Sequence, residues 1–482
     1  MAAEIITKRT LNDLLQPQGI PLLGNALQMD PHRFHLKIEE WAQKLGKFFV
    51  VSVASRRWLV VNDSALAQQA LRDRPDGFRR IGTLEPIARE LGMHGVFSAE
   101  GDFWREQRRV WMNSLNATQL RRFHEQLMEI TRKLLQRWQK AADKGEAVDV
   151  SHDLMRYTVD VTMRFALGHE SNTLERDDDV IQRHLDKLFP AVNRRLTALF
   201  PYWRYFKLPQ DRELDRALAA LRIEVGLLID AARQRLKHQP SLREAPTCFL
   251  EALLAAQERD GSQLTDETVF ANAITVLLAG EDTTANSLAW LIHHCCERPD
   301  VYAALQAEAD AFLSDASSPD VQIPRADRFP RLLPHTDAAI NETLRLRPVA
   351  PIVFLEALRD TTFEDLAVPA GTQILLTLRA SAGSAPSATP APRFNPITDD
   401  PDKAESGPGR AATMPFGYGP RMCPGRNLAL AEMRSVVLMI ARNFNIEGVA
   451  QAKPVDEKLS FTLVPEHLRV RFHRRAKTDQ TL

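Results

Sequence analysis

The chain has 482 residues, 44% of them hydrophobic and 26% charged, with 62 basic side chains balancing 62 acidic ones. Zero net charge excludes a global attraction for nucleic acid and a disordered, highly charged chain. The length suits a large enzyme with one fused core, and four cysteines (Cys248, Cys295, Cys296, Cys423) are too few for a disulfide framework and match a reducing compartment.

The N-terminal stretch MAAEIITKRTLNDLLQPQG has no continuous apolar core. Neither a signal peptide nor a membrane anchor is expected, and the predicted location is the cytoplasm. Pro17, Pro21 and Gly24 punctuate an irregular segment. KFFVVSV and RWLVVN predict a β-hairpin near residues 47–62. From about Asp63 to Arg347, apolar residues recur at i, i+3, i+4 and i+7 with charges between them, which predicts helices. Lys144-Gly145 and Asp260-Gly261 mark helix ends. Strands return at IVFLEAL and GTQILLTL, and the last strands are expected at LSFTLV and LRVRF. Residues 380–413, rich in Ala, Ser, Pro and Gly, read as a long irregular surface segment. The expected fold is mainly α with a small β region (α+β), one domain over residues 1–482. Its β-rich lobe would come from about 45–62, 350–378 and 458–473.

The stretch FGYGPRMCPGRNLALAE, Phe416 to Glu432, carries the chemistry. Its cysteine stands alone, so it belongs to no disulfide and no paired-cysteine zinc site. Thiolate is the form that ligates metal. Glycines let backbone N–H groups approach the sulfur, and a helix beginning near Pro424 turns its positive end toward it. Gly425 leaves room for a flat ligand, and the Arg421 fork suits a carboxylate on that ligand. Such a pocket fits a haem iron held by one thiolate.

Phe416-x-x-Gly419-x-Arg421-x-Cys423-x-Gly425 resembles the haem-binding loop of the cytochrome P-450 monooxygenases, and three further motifs follow in the family's order. AGEDTT, Ala279 to Thr284, places an acid and an alcohol inside an apolar helix, where they are costly without a purpose. It resembles the family's oxygen-activating segment. The resemblance implies that Ala279 and Gly280 leave space above the iron, that Thr283 holds the bound oxygen species by a hydrogen bond, and that Asp282 relays protons. Glu342-x-x-Arg345 shares one helix face at i, i+3. In the family this pair is buried and locks to a later arginine, for which Arg393 in APRF is the candidate. Trp104-x-x-x-Arg108 resembles the pair that holds a haem propionate. One departure is that the arginine many members carry on the strand after the Glu-x-x-Arg helix is absent, with Leu355 and Glu356 in its place.

The resemblance therefore implies a soluble, monomeric, bacterial-type member that binds haem b with Cys423 as axial ligand. It would insert one atom of O2 into an apolar organic substrate by hydroxylation or epoxidation. The chain ends 59 residues after Cys423 without a flavin or iron–sulfur module. Electrons from NAD(P)H would then arrive through a separate ferredoxin or flavodoxin and its reductase. Arg105, Arg109, Arg426 and Arg434 flank the motifs and offer a basic docking face, or else ordinary solvated charge. The alternatives are a peroxide-dependent peroxygenase, an isomerase or dehydratase of the same fold, and a haem sensor or carrier without turnover. Asp282-Thr283 argues against all of them. Substrate choice would rest on segments between Gly77 and Gly101, around 189–206, and after Phe461. The aromatic and basic segment 189–206 would meet an anionic head group, or simply pack on the protein's own surface.

Overall fold

The computed structural model describes residues 9–176, 180–185, 187–198, 200–314, 333–381, 383, 393–396 and 413–475. Most of the segment expected to be irregular, 380–413, lies outside the described residues. The strands are Phe48–Val53 (β1), Arg56–Val61 (β2), Phe78–Arg80 (β3), Ala147–Val148 (β4), Ile352–Ala357 (β5) and Thr361–Phe363 (β6). They continue with Leu366–Val368 (β7), Gln373–Thr377 (β8), Phe444–Gly448 (β9), Asp456–Leu459 (β10), Leu463–Glu466 (β11) and Val470–Arg474 (β12). The first helices are Phe34–Leu45 (α1), Ser64–Arg72 (α2), Leu84–Glu90 (α3), Gly101–Ser114 (α4), Ala117–Asp143 (α5) and Val150–Thr162 (α6). Val180–Leu185 (α7), Leu188–Thr197 (α8), Pro209–His238 (α9), Phe249–Gln257 (α10) and Asp266–Glu297 (α11) follow. Pro299–Ser314 (α12), Pro334–Leu346 (α13), Leu378–Ser381 (α14) and Arg426–Asn443 (α15) complete the described helices.

Alternation along the strands builds the main sheet, ordered β1-β2-β8-β5-β3. Phe48, Val50, Leu59 and Val61 face one apolar cluster with α2, while Phe49, Val51 and Val60 face another with Ile38 and Trp41 of α1. The β2–β8 pair is parallel and the other pairs are antiparallel.

The C-terminal strands depart from expectation. LSFTLV is not one strand but the turn of the β10–β11 hairpin, with Leu459 opposite Leu463. Segment 458–473 does not join the main sheet. Instead β12 pairs with β4 and β9, and Phe472 stacks on Trp138 of α5 at 4.5 Å. Packing against the helical core decides this: Phe444, Val470 and Phe472 are fully buried there. Strand propensity alone cannot choose between two sheets.

The longest helix, α11, runs 32 residues through the helical core and is buried almost all round. Thr265 caps its start by accepting from the Thr268 N–H at 3.2 Å. α6 lies against its middle, where Thr158 Oγ1 donates to the Glu281 carbonyl at 2.8 Å. Among the described residues no helix is long and apolar enough to cross a membrane.

A buried charge cluster ties both chain ends to the sheet. Arg379 of α14 donates to Glu39 of α1 at 2.7 and 2.8 Å, and to Glu457 of β10 at 2.9 Å. Glu457 also accepts from His35 at 3.1 Å.

Candidate functional site: a cysteine loop beside a buried helix

The loop before α15 holds Cys423 by its backbone. The Cys423 N–H donates to the Phe416 carbonyl at 2.8 Å, and the Met422 N–H to the Gly419 carbonyl at 3.0 Å. Gly419 has φ +70, and a Cβ there would lie 2.6 Å from the Leu71 carbonyl oxygen at the end of α2. Conformation and space thus both require glycine at 419. A Cβ at Gly425 would meet only the Cys423 sulfur, at 3.8 Å, so the space beyond it is open. Cys423 itself is exposed. Yet burial pushes its thiol pKa up, against the backbone N–H groups of Gly425 and Arg426 and the Arg108 charge, which pull it down.

Cations gather beside this loop. Arg108 of α4 donates to the Met422 carbonyl at 2.6 Å. Arg421 stacks on Trp104 at 4.1 Å, donates to the Ala99 carbonyl at 2.8 Å and pairs with Glu100. Its Nε has no partner. Burial lowers the Arg421 pKa to about 9, with Glu100 opposing and Arg74, Arg108 and Arg105 adding to the fall. The indole N–H of Trp104 finds no acceptor among the described residues. Arg74 and Arg80, which sequence reasoning missed, lie in the same electrostatic cluster. Nothing in their local pattern separates them from surface arginines, since only the fold brings them next to Arg421.

In the middle of α11, Ala279 is exposed and Gly280, Asp282 and Thr283 are half-buried, although the helix is buried on both sides of them. Thr283 Oγ1 donates to the Ala279 carbonyl at 2.9 Å. Asp282 accepts from Thr462 Oγ1 at 2.7 Å and from Asn286 at 3.3 Å. Burial raises the Asp282 pKa, and these two hydrogen bonds oppose the rise. Gly280 has a packing role as well. A Cβ there would lie 2.4 Å from Thr162 Oγ1 of α6, so the glycine permits helix contact. Contacts then run from Asp282 through Thr462 to the neighbouring Phe461, which lies 6.0 Å from Phe97, on which Arg80 stacks at 3.7 Å.

Glu342 and Arg345 of α13 pair through two bonds of 2.7 and 2.8 Å. Arg393 does not join them. It is exposed, and the Asn395 backbone N–H reaches Glu342 at 3.0 Å instead. The residues after Arg393 bring main chain, not a guanidinium, to the pair. Of the four arginines expected on a basic face, Arg105 is held by Asp76 and Asp102, and Arg434 by Asp337. Arg109 and Arg105 line a surface cleft of about 420 Å³, while Arg426 is exposed against Phe416. In the aromatic segment, Arg194 donates to Tyr202 and Asp211, and Arg195 and Arg204 lie against Glu90. Its positive charge is met by the protein's own acids, which favours surface packing over a head-group site.

The residues present fit a haem on three counts: one thiolate faced by backbone N–H groups, an open cradle at Gly425, and a guanidinium at Arg421 with an orphaned Nε. Residues 15–472 match the family model described as Cytochrome P450. The chain is 25% identical over 463 residues to Protein LUTEIN DEFICIENT 5, chloroplastic, of Arabidopsis thaliana, covering 92% of this chain and 75% of that one. It is 24% identical over 436 residues to a bifunctional cytochrome P450/NADPH--P450 reductase of Alternaria alternata, covering 88% of this chain but 37% of the relative. The crystal structure of cytochrome P450DA heme domain superposes with a TM-score of 0.83 at 22% identity, covering 97% of this chain and 98% of that one.

Proposed function

The chain belongs to the cytochrome P450 family of haem-thiolate monooxygenases, and from that premise we propose that it is a soluble cytoplasmic haem domain that hydroxylates or epoxidises a small, largely apolar organic molecule. Electrons from NAD(P)H arrive through a separate ferredoxin or flavodoxin and its reductase. The observation that carries the reading is the environment of Cys423: an exposed sulfur, faced by two backbone N–H groups, beside a glycine that leaves the space next to it open.

Cys423 would hold the haem iron through its thiolate. Burial opposes the ionised form, while the Gly425 and Arg426 N–H groups and the Arg108 charge favour it. Arg421, Trp104 and Arg108 would hold a haem carboxylate. When bound, the haem supplies the iron at which dioxygen is activated and one oxygen atom is passed to the substrate. Asp282 works as a proton-holding group. Its raised pKa makes protonation accessible nearer neutrality, and Thr462 and Asn286 fix its two oxygens. Thr283, whose hydroxyl spends its proton on the Ala279 carbonyl, keeps lone pairs to accept a hydrogen bond from a guest. Phe97 and Phe461 form part of an apolar wall that excludes water. The cleft lined by Arg105, Arg108, Arg109 and Pro420 lies beside the cysteine loop, where an acidic electron carrier would approach.

The test is to purify the protein with haem supplementation, record the ferrous carbon monoxide spectrum, and measure NADH use with surrogate redox partners. Thiolate ligation and substrate-dependent NADH use are expected, both lost in Cys423→Ala. Thr283→Ala should keep NADH use but lose product. A protein that takes up no haem sinks the reading.

A further inference from the structure

A haem has two carboxylates, and Leu355, on the strand beside Arg80, is fully buried and apolar. We propose that Arg80, with Arg74 beside it, holds the second haem carboxylate in this chain; this rests on the haem reading above.

Register places the side chain. Arg80 of β3 pairs directly with Leu355 of β5, and directly opposed residues share a sheet face. Arg79, one residue earlier, faces the other way and is occupied: it donates to Glu356 at 2.6 and 3.2 Å, and Glu356 also accepts from the Gly82 N–H at 2.9 Å. Glu356 is therefore not available to Arg80.

Bonding leaves Arg80 and Arg74 unfinished. Arg80 stacks on Phe97 at 3.7 Å, and its Nε donates to the Phe97 carbonyl at 2.9 Å. Its two terminal nitrogens bond nothing among the described residues. Arg74 is 3% exposed, and its Nε and one terminal nitrogen have no partner. Buried guanidinium nitrogens without acceptors are rare, because each forfeits its hydration.

Charge points the same way. Arg74, Arg80 and Arg421 crowd one another, and Glu100 is the acid they share. With Arg108 also acting on Arg421, Glu100 alone does not balance the cluster, and its excess positive charge suits the negative carboxylates of a haem. Burial pulls Arg74 down to about 10, and pulls Arg80 well below its ordinary value with Arg74 and Arg421 adding to the fall. Arg80 keeps some open surface although it is desolvated, as does a side chain facing enclosed space.

The experiment follows haem loss from the holoprotein to excess apomyoglobin, using native haem and haem dimethyl ester, in which both carboxylates are masked. Resonance Raman spectra of the propionate bending bands are recorded alongside. Arg80→Met should lose native haem roughly ten- to a hundredfold faster, the worth of one charge-assisted hydrogen bond, with Arg80→Lys between it and wild type. Arg79→Met should match wild type. With the dimethyl ester, Arg80→Met and wild type should converge, which a merely structural role would not produce. Equal haem loss in wild type and Arg80→Met, or equal acceleration with both haems, overturns the proposal. If Arg80→Met does not fold, Arg80→Lys with the two haems decides on the same criteria. A protein that binds haem through Cys423 but ignores Arg80 overturns only this inference; one that binds no haem overturns both.

Discussion

Substituting Gly280 by alanine separates two roles for that glycine, making room for a ligand and making room for a helix. A Cβ at 280 would stand 2.4 Å from Thr162 Oγ1, 2.9 Å from its Cγ2 and 3.2 Å from its Cβ. Rotating the threonine permutes hydroxyl, methyl and hydrogen, so every staggered rotamer leaves at least one heavy branch in one of the two close positions. Overpacking of this kind costs about 1–3 kcal/mol, while alanine in place of glycine inside a helix returns roughly 0.5–1 kcal/mol. The net expectation is a loss of about 1–2 kcal/mol. Thr162 sharpens the test because its Oγ1 is buried without a partner. Gly280→Ala with Thr162→Ala removes the clash and an unsatisfied hydroxyl together, so the double variant should be at least as stable as wild type. Thermal unfolding of the four holoproteins, followed by circular dichroism, gives the cycle. Carbon monoxide binding to the ferrous forms gives the second readout. The reasoning is refuted if Gly280→Ala keeps wild-type stability while its ligand binding collapses, or if Thr162→Ala brings no recovery.

Three other outcomes are expected. Thr462→Val removes a donor that holds the Asp282 pKa down, so that pKa rises further and the acid limb of the pH profile of product formed per NADH moves to higher pH; an unmoved limb would remove Asp282 from the proton path. Arg379→Met strips the guanidinium from two buried carboxylates and should cost about 3–5 kcal/mol by denaturant titration. Glu457, held well below its ordinary 4.5 by hydrogen bonds and charge from His35, Arg379 and Arg347 against the cost of burial, contributes stability that is present above that pH and lost as pH falls below it. The wild type should therefore unfold in acid, and Arg379→Met should show a much shallower acid dependence. Arg393→Ala should leave the thermal midpoint unchanged, since the side chain is exposed and the Asn395 backbone makes the contact; a clear drop would restore Arg393 to the Glu342–Arg345 pair.

What the amino-acid order determined by itself is local. Period-two and helical patterns specify β1, β2, β5, β8 and the long helices, because alternation and i, i+3, i+4 spacing act within one element. The Cys423 loop was legible for the same reason: glycines, proline and cysteine within ten residues define both a backbone shape and a ligand. The order Trp104, Asp282, Glu342, Cys423 could be read without coordinates. Tertiary structure decided everything that depends on which distant groups share a space. It sent β12 to a different sheet, turned Gly280 toward Thr162, tied Asp282 to Thr462 at 2.7 Å, and put Asn395 rather than Arg393 against Glu342. It also gathered Arg74 and Arg80 beside Arg421, where burial makes their unpaired nitrogens costly. Desolvation and pairing belong to the enclosed space and not to the residue, so an arginine that reads as surface charge in the sequence becomes an anion-binding group only when the fold removes its water.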